Sequence, residues 1–151
     1  MYTNLEEKES LSLLENDYLA HLSYIYQNKP FVVPITYFYD SISNVIICYS
    51  GEGHKMNAMR KNHHVALNVV DVDGLTKWRS VMVHGQFEQV FGSEAKAYLH
   101  NFSIGIKQLI AKRELKELNF ISEFSSKRVN ENLPMIFVIR IAEVTGKKRV
   151  D

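Results

Sequence analysis

A single cysteine, Cys48, stands among 151 residues. One cysteine excludes an internal disulfide and offers no zinc framework. It lies in the apolar run Val45-Ile46-Ile47-Cys48-Tyr49, where it reads as a small buried hydrophobe rather than a reactive thiol. Long apolar runs are missing too. Nothing approaches the ~18 residues needed to span a bilayer, so no membrane is expected as a partner. Net charge is scarce, only +1, and no global field draws the chain to nucleic acid or lipid. Any bound anion must be gripped locally. The acidic start, Met1 to Glu9, lacks the basic and apolar regions of a signal peptide, and a cytoplasmic location is expected. No repeat, low-complexity tract or second domain appears.

What is present suits one globular domain over residues 1–151. Hydrophobic residues make up 46% and charged residues 23%, and a chain of this length buries roughly 68–70% of its unfolded surface. Glu6 to Asn16 has near-helical spacing of leucines. Tyr18 to Tyr26 alternates as a strand with both faces partly apolar, as in a barrel wall. Gln27-Asn28-Lys29-Pro30 reads as a hairpin turn, and Phe31 to Tyr39 returns as a strand. Pro34 interrupts it and belongs at an edge, a bulge or a place where pairing stops.

Further strands are expected over Val45 to Tyr49, His64 to Val72 (with a turn at Asp71 to Gly74) and Trp78 to Phe91. Gly85 marks a bulge in the last of these. Met56 to Lys61 reads as a short helix. Ser93 begins helical text to about Phe124, with a break near Ser103-Ile104-Gly105 and a stripe of Leu109, Ile110, Ile121 and Phe124. After a polar linker, Ser125 to Leu133, a last strand is expected over Met135 to Ala142, followed by a solvated basic tail, Gly146 to Arg149. Strands joined by short turns predict a mainly antiparallel β-barrel with flanking helices. No strand–GxGxxG–helix unit exists.

Tyr49-Ser50-Gly51-Glu52-Gly53-His54-Lys55 is the segment richest in chemistry. It joins a strand end to a helix start, where free N–H groups favour an anion. Its glycines allow close backbone approach. Ser50, His54 and Lys55 add a hydroxyl and two cationic or donor groups, enough to hold one phosphate. The same spacing also fits a plain polar turn with a solvated lysine. The six histidines form no ligand pair, so no metal site is expected. His21 and His84 read as core or rim residues. Trp78 reads as packing, or as a stacking surface for a planar ligand.

Together these segments resemble the pyridoxamine 5'-phosphate oxidase-like, FMN-binding split-barrel family, over nearly the whole chain. The resemblance rests on four strings in order: Phe31 to Asp40; Val45 to Ser50 with Gly53-His54-Lys55 and Lys61-Asn62; Trp78 to Gly85; and Val144-Thr145-Gly146-Lys147. It implies that Ser50 and Lys55 hold the FMN phosphate, with His54 where many relatives place arginine. Tyr49 would sit beside the cofactor. Val33, Pro34, Ile35 and Thr36 would line the ring through backbone groups and short side chains, and Trp78 and Ser80 would complete the ring pocket. It also implies a homodimer with FMN between the subunits, and an oxidoreductase acting on an unidentified small molecule.

Met135 to Asp151 lacks the arginine- and histidine-bearing segment with which the true oxidases hold pyridoxal phosphate, so that activity is not expected. The nitroimidazole-reductase-like branch is nearest in length and in Pro34 and Gly53-His54-Lys55, but commonly has histidine where Tyr49 stands. Tyr49 and His21 are the titratable groups to test first. A non-catalytic flavin sensor or store, and a haem-binding split barrel, remain as alternatives.

Overall fold

The computed structural model describes residues 1–114 and 135–151. Seven strands and three helices follow in the order β1 (Tyr2–Asn4), α1 (Glu7–Glu15), β2 (Leu19–Tyr26), β3 (Lys29–Asp40), β4 (Val45–Ser50), α2 (His54–Lys61), β5 (His64–Gly74), β6 (Lys77–Val90), α3 (Gly92–Glu114) and β7 (Met135–Val150). All pairings are antiparallel, in the order β1-β7-β4-β3-β2-β5-β6, and a further β7–β6 pairing closes the sheet into a barrel. The expected mainly β, antiparallel barrel with helices outside is what the chain forms.

The turns follow from local chemistry. Gln27 and Asn28 both take positive φ, 51° and 63°, the combination that a two-residue hairpin requires to match strand twist. Lys29 and Pro30, expected in the turn, are instead the first residues of β3. In the next turn the Asp40 carboxylate accepts from the N–H groups of Ile42 and Ser43, and Asn44 supplies a φ of 54°. β5 runs on to Gly74, past the turn expected at Asp71 to Gly74, and absorbs Asp73 as a bulge.

Two elements differ more from the expectation. β1 carries no pattern of its own and forms because β7 offers it an edge: Tyr2, Thr3 and Asn4 pair with Arg149, Lys148 and Lys147. The basic tail is therefore no solvated end but the last stretch of β7. Its charges point away from the core and find partners, Lys147 on the Asn4 side-chain oxygen at 2.7 Å and Arg149 on Asp151 at 2.9 Å. β7 pairs with β6 along nearly its whole length and with β4 over Met135 to Arg140.

The core has two parts. Inside the barrel lie Ala20, Leu22, Tyr24, Tyr37, Cys48, Met56, Met59, Leu67, Val81, Val83, Phe137 and Ile139. Cys48 is fully buried, as expected, and burial pushes its thiol pKa up. The second part lies between the barrel and α3. Leu99, Phe102, Ile106 and Ile110, at helical spacing, pack on Val45, Ile47, Val90, Ile136 and Val138. Each fully buried side chain of this size contributes roughly 1.5–3 kcal/mol. Of the expected stripe, Ile110 is buried and Leu109 half-buried. Ile121, Phe124 and the linker Ser125 to Leu133 lie outside the described residues.

α3 does not break at Ser103-Ile104-Gly105. Gly105 is there for space: a Cβ on it would run into the Phe38 ring. Gly85 has the same role at the barrel seam. Opposite it, β7 skips Ala142, since His84 pairs with Glu143 and Gly85 with Ile141. The bulge expected at Gly85 thus lies across the seam, with the extra residue on β7. A Cβ at Gly85 would meet the Arg140 carbonyl oxygen, and Ile139 Cγ2 at 2.7 Å. Gly85→Ala should therefore destabilise by about 1–3 kcal/mol, the usual cost of overpacking. Gly74→Ala, where a Cβ meets nothing within 4 Å, is the control. Thermal melts should show Gly85→Ala several degrees below Gly74→Ala; equal midpoints would contradict the close seam.

Candidate functional site

β3 carries the first group of candidates. Tyr37 N–H donates to the Tyr18 carbonyl oxygen at 2.9 Å, and Leu19 to Tyr26 pair with Thr36 to Lys29. By antiparallel alternation, odd-numbered residues of β3 exchange hydrogen bonds with β2, and even-numbered residues turn theirs to the opposite edge. β4 takes up that edge only from Tyr37 to Asp40. Over Lys29 to Thr36, no strand among the described residues pairs with it.

Pro30 and Pro34 occupy two of the even positions, so their missing N–H groups leave no ladder bond unmade. Pro34 does not interrupt β3; it stands where pairing with β4 has ended. The donors left on this edge are the N–H groups of Val32 and Thr36, on either side of Pro34. Ile35 is buried and Val33 packs on the barrel core, whereas Pro34 and Thr36 face outward.

Beyond β4 the chain crosses the glycine loop into α2. Ser50 is buried, and its hydroxyl donates to the Gly51 carbonyl at 2.8 Å. α2 starts at His54, two residues earlier than expected, and no side chain caps its first turn. Lys55 is half-buried and lies within electrostatic reach of Cys48, whose thiol pKa it pulls down against the larger effect of burial. The loop is braced from within α2. Arg60 grips Glu52 with both terminal nitrogens, at 2.6 and 3.1 Å, and donates through Nε to Gln89 at 3.0 Å. The Arg60 hydrogen bonds hold the Glu52 carboxyl below the usual carboxylate range. With Arg60 so engaged, Lys55 and His54 are the cationic or donor side chains left at the start of α2.

His54 is not a loose surface residue. Its Nδ1 lies 2.9 Å from the Tyr24 hydroxyl, and its ring meets Tyr26 and Phe31 edge-on, each at 4.9 Å between centroids. Tyr24 itself is buried and stacks on Phe31 at 5.5 Å.

The second group lies elsewhere. Trp78 and Ser80 share the outer face of β6. The Ser80 hydroxyl accepts from the Asn68 amide at 2.9 Å, and Trp78 packs on Tyr2 at 5.6 Å. The register lines up Met82, Asn68, His21 and Pro34 across β6, β5, β2 and β3. Three strand spacings of ~4.8 Å therefore separate the β6 group from Pro34 by roughly 14 Å. Leu19, Val70 and Val72 on the outer faces of β2 and β5, and Val32 on β3, are 43–64% exposed.

Tyr49 lies on the outer face of β4, on the side of Thr36, one register step beyond the Tyr37–Cys48 pair. It turns under α3, edge-on to Phe102 at 5.2 Å, and burial raises its hydroxyl pKa. His21 stands exposed on the outer face between Asn68 and Pro34. Ser50, His54 and Lys55 thus lie together at the glycine loop and the start of α2, Pro34 and Thr36 lie on the outer face of β3, and Trp78 and Ser80 lie on the outer face of β6.

Sequence reasoning passed over Tyr24, Phe31, Asn68 and the Glu52–Arg60 brace. Each acts through a partner distant in sequence, and only Glu52, inside the glycine loop, carried a local signal. A cleft of about 580 Å³, lined by Arg60, His63, Gln86, Phe91 and Arg140 among others, holds none of the expected residues.

Comparison with known proteins places the fold. The family model of pyridoxamine 5'-phosphate oxidase matches residues 6–148. A protein of Rhizobium meliloti is 33% identical over 72 residues, 48% of this chain and 46% of that protein, so the match spans about half of the curated relative's length. An FAD-binding protein of Mesorhizobium loti superposes with a TM-score of 0.74 at 20% identity, covering 99% of both chains. The flavocytochrome Anf3 of Azotobacter vinelandii gives 0.71 at 21% identity, over 97% of this chain and 68% of that one. An FAD and heme binding protein of Mycobacterium smegmatis gives 0.69 at 16% identity, over 99% and 74%. The structural likenesses show a shared fold, and with the family match over residues 6–148 the chain belongs to the pyridoxamine 5'-phosphate oxidase family.

Proposed function

We propose that the chain binds FMN at the joint of two copies and uses it in oxidoreduction of a small molecule. The observation that carries this reading is the unpaired edge of β3 around Pro34, beside the braced glycine loop and the first turn of α2. An isoalloxazine ring presents donors and acceptors in one plane. A free strand edge, with the Val32 and Thr36 N–H groups and the intervening carbonyls, matches that plane. His54 and Lys55 supply the phosphate end, joined by Ser50 once its hydroxyl turns away from the Gly51 carbonyl. The related structures named for FAD, or for a flavocytochrome, support a flavin.

The division of the candidates supports a shared site. Trp78 and Ser80 lie too far round the barrel to meet a ring seated at Pro34. A second copy docked on the exposed Leu19, Val32, Val70 and Val72 face would bring Ser80 of the partner subunit to it. Burying that face would also remove apolar surface from water at ~25 cal/mol per Å². The flavin, when bound, supplies the electron-accepting and electron-donating chemistry. The chain's own residues bind, orient and exclude water.

Phosphorylated substrates fit this site poorly. Residues 135–151 contain no histidine. Their two arginines are engaged, Arg140 with Glu88 at 3.0 Å and Arg149 with Asp151 at 2.9 Å. A substrate phosphate buried there would meet no histidine and no disengaged arginine. A cytoplasmic setting is consistent with this reading, and among the described residues no helix is long and apolar enough to cross a membrane.

Three outcomes check the reading. The purified protein should show flavin bands in its visible spectrum. A Soret band would favour haem instead, and a colourless protein that takes up neither would refute both. Lys55→Ala should weaken FMN binding about tenfold or more, because a lost charge-assisted contact costs about 1.5–3 kcal/mol; unchanged affinity by titration would remove Lys55 from the phosphate site. With saturating FMN under oxygen, pyridoxamine 5'-phosphate should not be oxidised. Turnover on the order of 1 per second, ordinary for an enzyme, would show that the C-terminal strand needs no such arginine–histidine pair.

A further inference from the structure

We infer that Tyr24 is a positioning residue that fixes the imidazole of His54 as an Nε2–H donor to the flavin phosphate. The inference rests on the flavin reading above and adds to it a residue that touches no ligand.

The argument begins with the hydrogen bond between the Tyr24 hydroxyl and His54 Nδ1, 2.9 Å long. It commits one ring nitrogen to the protein, so only Nε2 remains for a ligand. Three proton arrangements are compatible with that bond. In a neutral ring the phenol donates to Nδ1, and Nε2 carries the hydrogen. In a cationic ring Nδ1–H donates to the phenol, and Nε2 again carries a hydrogen. Only a neutral ring with its hydrogen on Nδ1 leaves Nε2 as a bare lone pair, which an anion repels. A phosphate therefore selects one of the first two arrangements; in the neutral one the phenol, by donating to Nδ1, keeps the hydrogen on Nε2, and in the cationic one it accepts from Nδ1–H and holds the ring in place.

The packing fixes the ring plane as well. Tyr26 and Phe31 meet the imidazole edge-on from both strands of the hairpin, each at 4.9 Å. Tyr24 is 3% exposed and stacked on Phe31, so its hydroxyl does not wander. His54 is nevertheless an exposed residue at the first position of α2, beside Lys55. A histidine so seated offers one directed hydrogen bond, whereas a flexible cation would offer an undirected charge. Lys55 supplies the charge and His54 the direction.

The test uses the full-length protein, with FMN and riboflavin as probes, since riboflavin lacks the phosphate. Tyr24→Phe should weaken FMN roughly three- to tenfold, the size of one hydrogen bond, and leave riboflavin affinity unchanged. His54→Ala should cost FMN at least as much. The double variant should lose no more than His54→Ala alone, because Tyr24 acts only through His54. Nitrogen-15 imidazole spectra of the FMN-loaded protein give a readout independent of affinity. They should show a hydrogen on Nε2 of His54 in the unsubstituted protein and a tautomer mixture in Tyr24→Phe. Equal FMN affinities for the unsubstituted protein and Tyr24→Phe, additive losses in the double variant, or equal losses for FMN and riboflavin would each overturn the positioning role while leaving flavin binding intact. A protein that binds no flavin would overturn both.

Discussion

A sixteen-residue strand that pairs on both sides holds this molecule together. β7 takes β6 along one edge and β4, then β1, along the other, and so closes an open sheet into a barrel. Closure fixes the stagger of the strands. Because β4 is only six residues long and ends at Ser50, it covers the upper part of β3 and leaves the rest of that edge bare. The seam at Gly85, the bulge at Ala142 and the free edge at Pro34 are consequences of one closure. A bare edge invites aggregation unless something covers it, and here two prolines have already removed two of its donors.

The site inherits its rigidity from the same frame. The glycine loop leaves β4 where pairing with β3 stops, and α2 returns it to the barrel by burying Met56, Ala58 and Met59. Arg60, in the last turn of α2, reaches back to Glu52 and to Gln89 of β6 and ties the loop to both elements. At the start of the helix, His54 is held by the β2–β3 hairpin. Three elements, α2, β6 and the β2–β3 hairpin, hold the glycine loop in place.

The fold was largely legible in the sequence because alternation, turn residues and prolines are local signals. Strands β2 to β6 could be read directly, and Pro34 foretold the end of a pairing. The departures have one cause. β1 and the tail of β7 exist only by pairing with each other and with the barrel edge, which no local pattern of charged residues reveals. Gly105 looked like a helix break because the sequence cannot show that the Phe38 ring lies against it. The candidate site divides the same way. Ser50, His54 and Lys55 were visible as a loop of donors. Tyr24, Asn68 and Arg60 were not, since each acts on a residue that only the fold brings near. Tyr49 was expected beside the cofactor through resemblance alone; its ring packs edge-on to Phe102 of α3.

The central claim is that a flavin site is assembled from the β3 edge and α2 of one subunit and the β6 face of the other. Mixed dimers of Lys55→Ala and Trp78→Ala subunits, separately tagged and purified as the heterodimer, test it most directly. If the two groups come from different subunits, one site of the mixed dimer is intact and the other carries both lesions. Flavin titration should then give one site per dimer with the affinity of the unsubstituted protein. If both groups serve the same subunit, every site carries one lesion, and two weakened sites with none of full affinity would contradict the account.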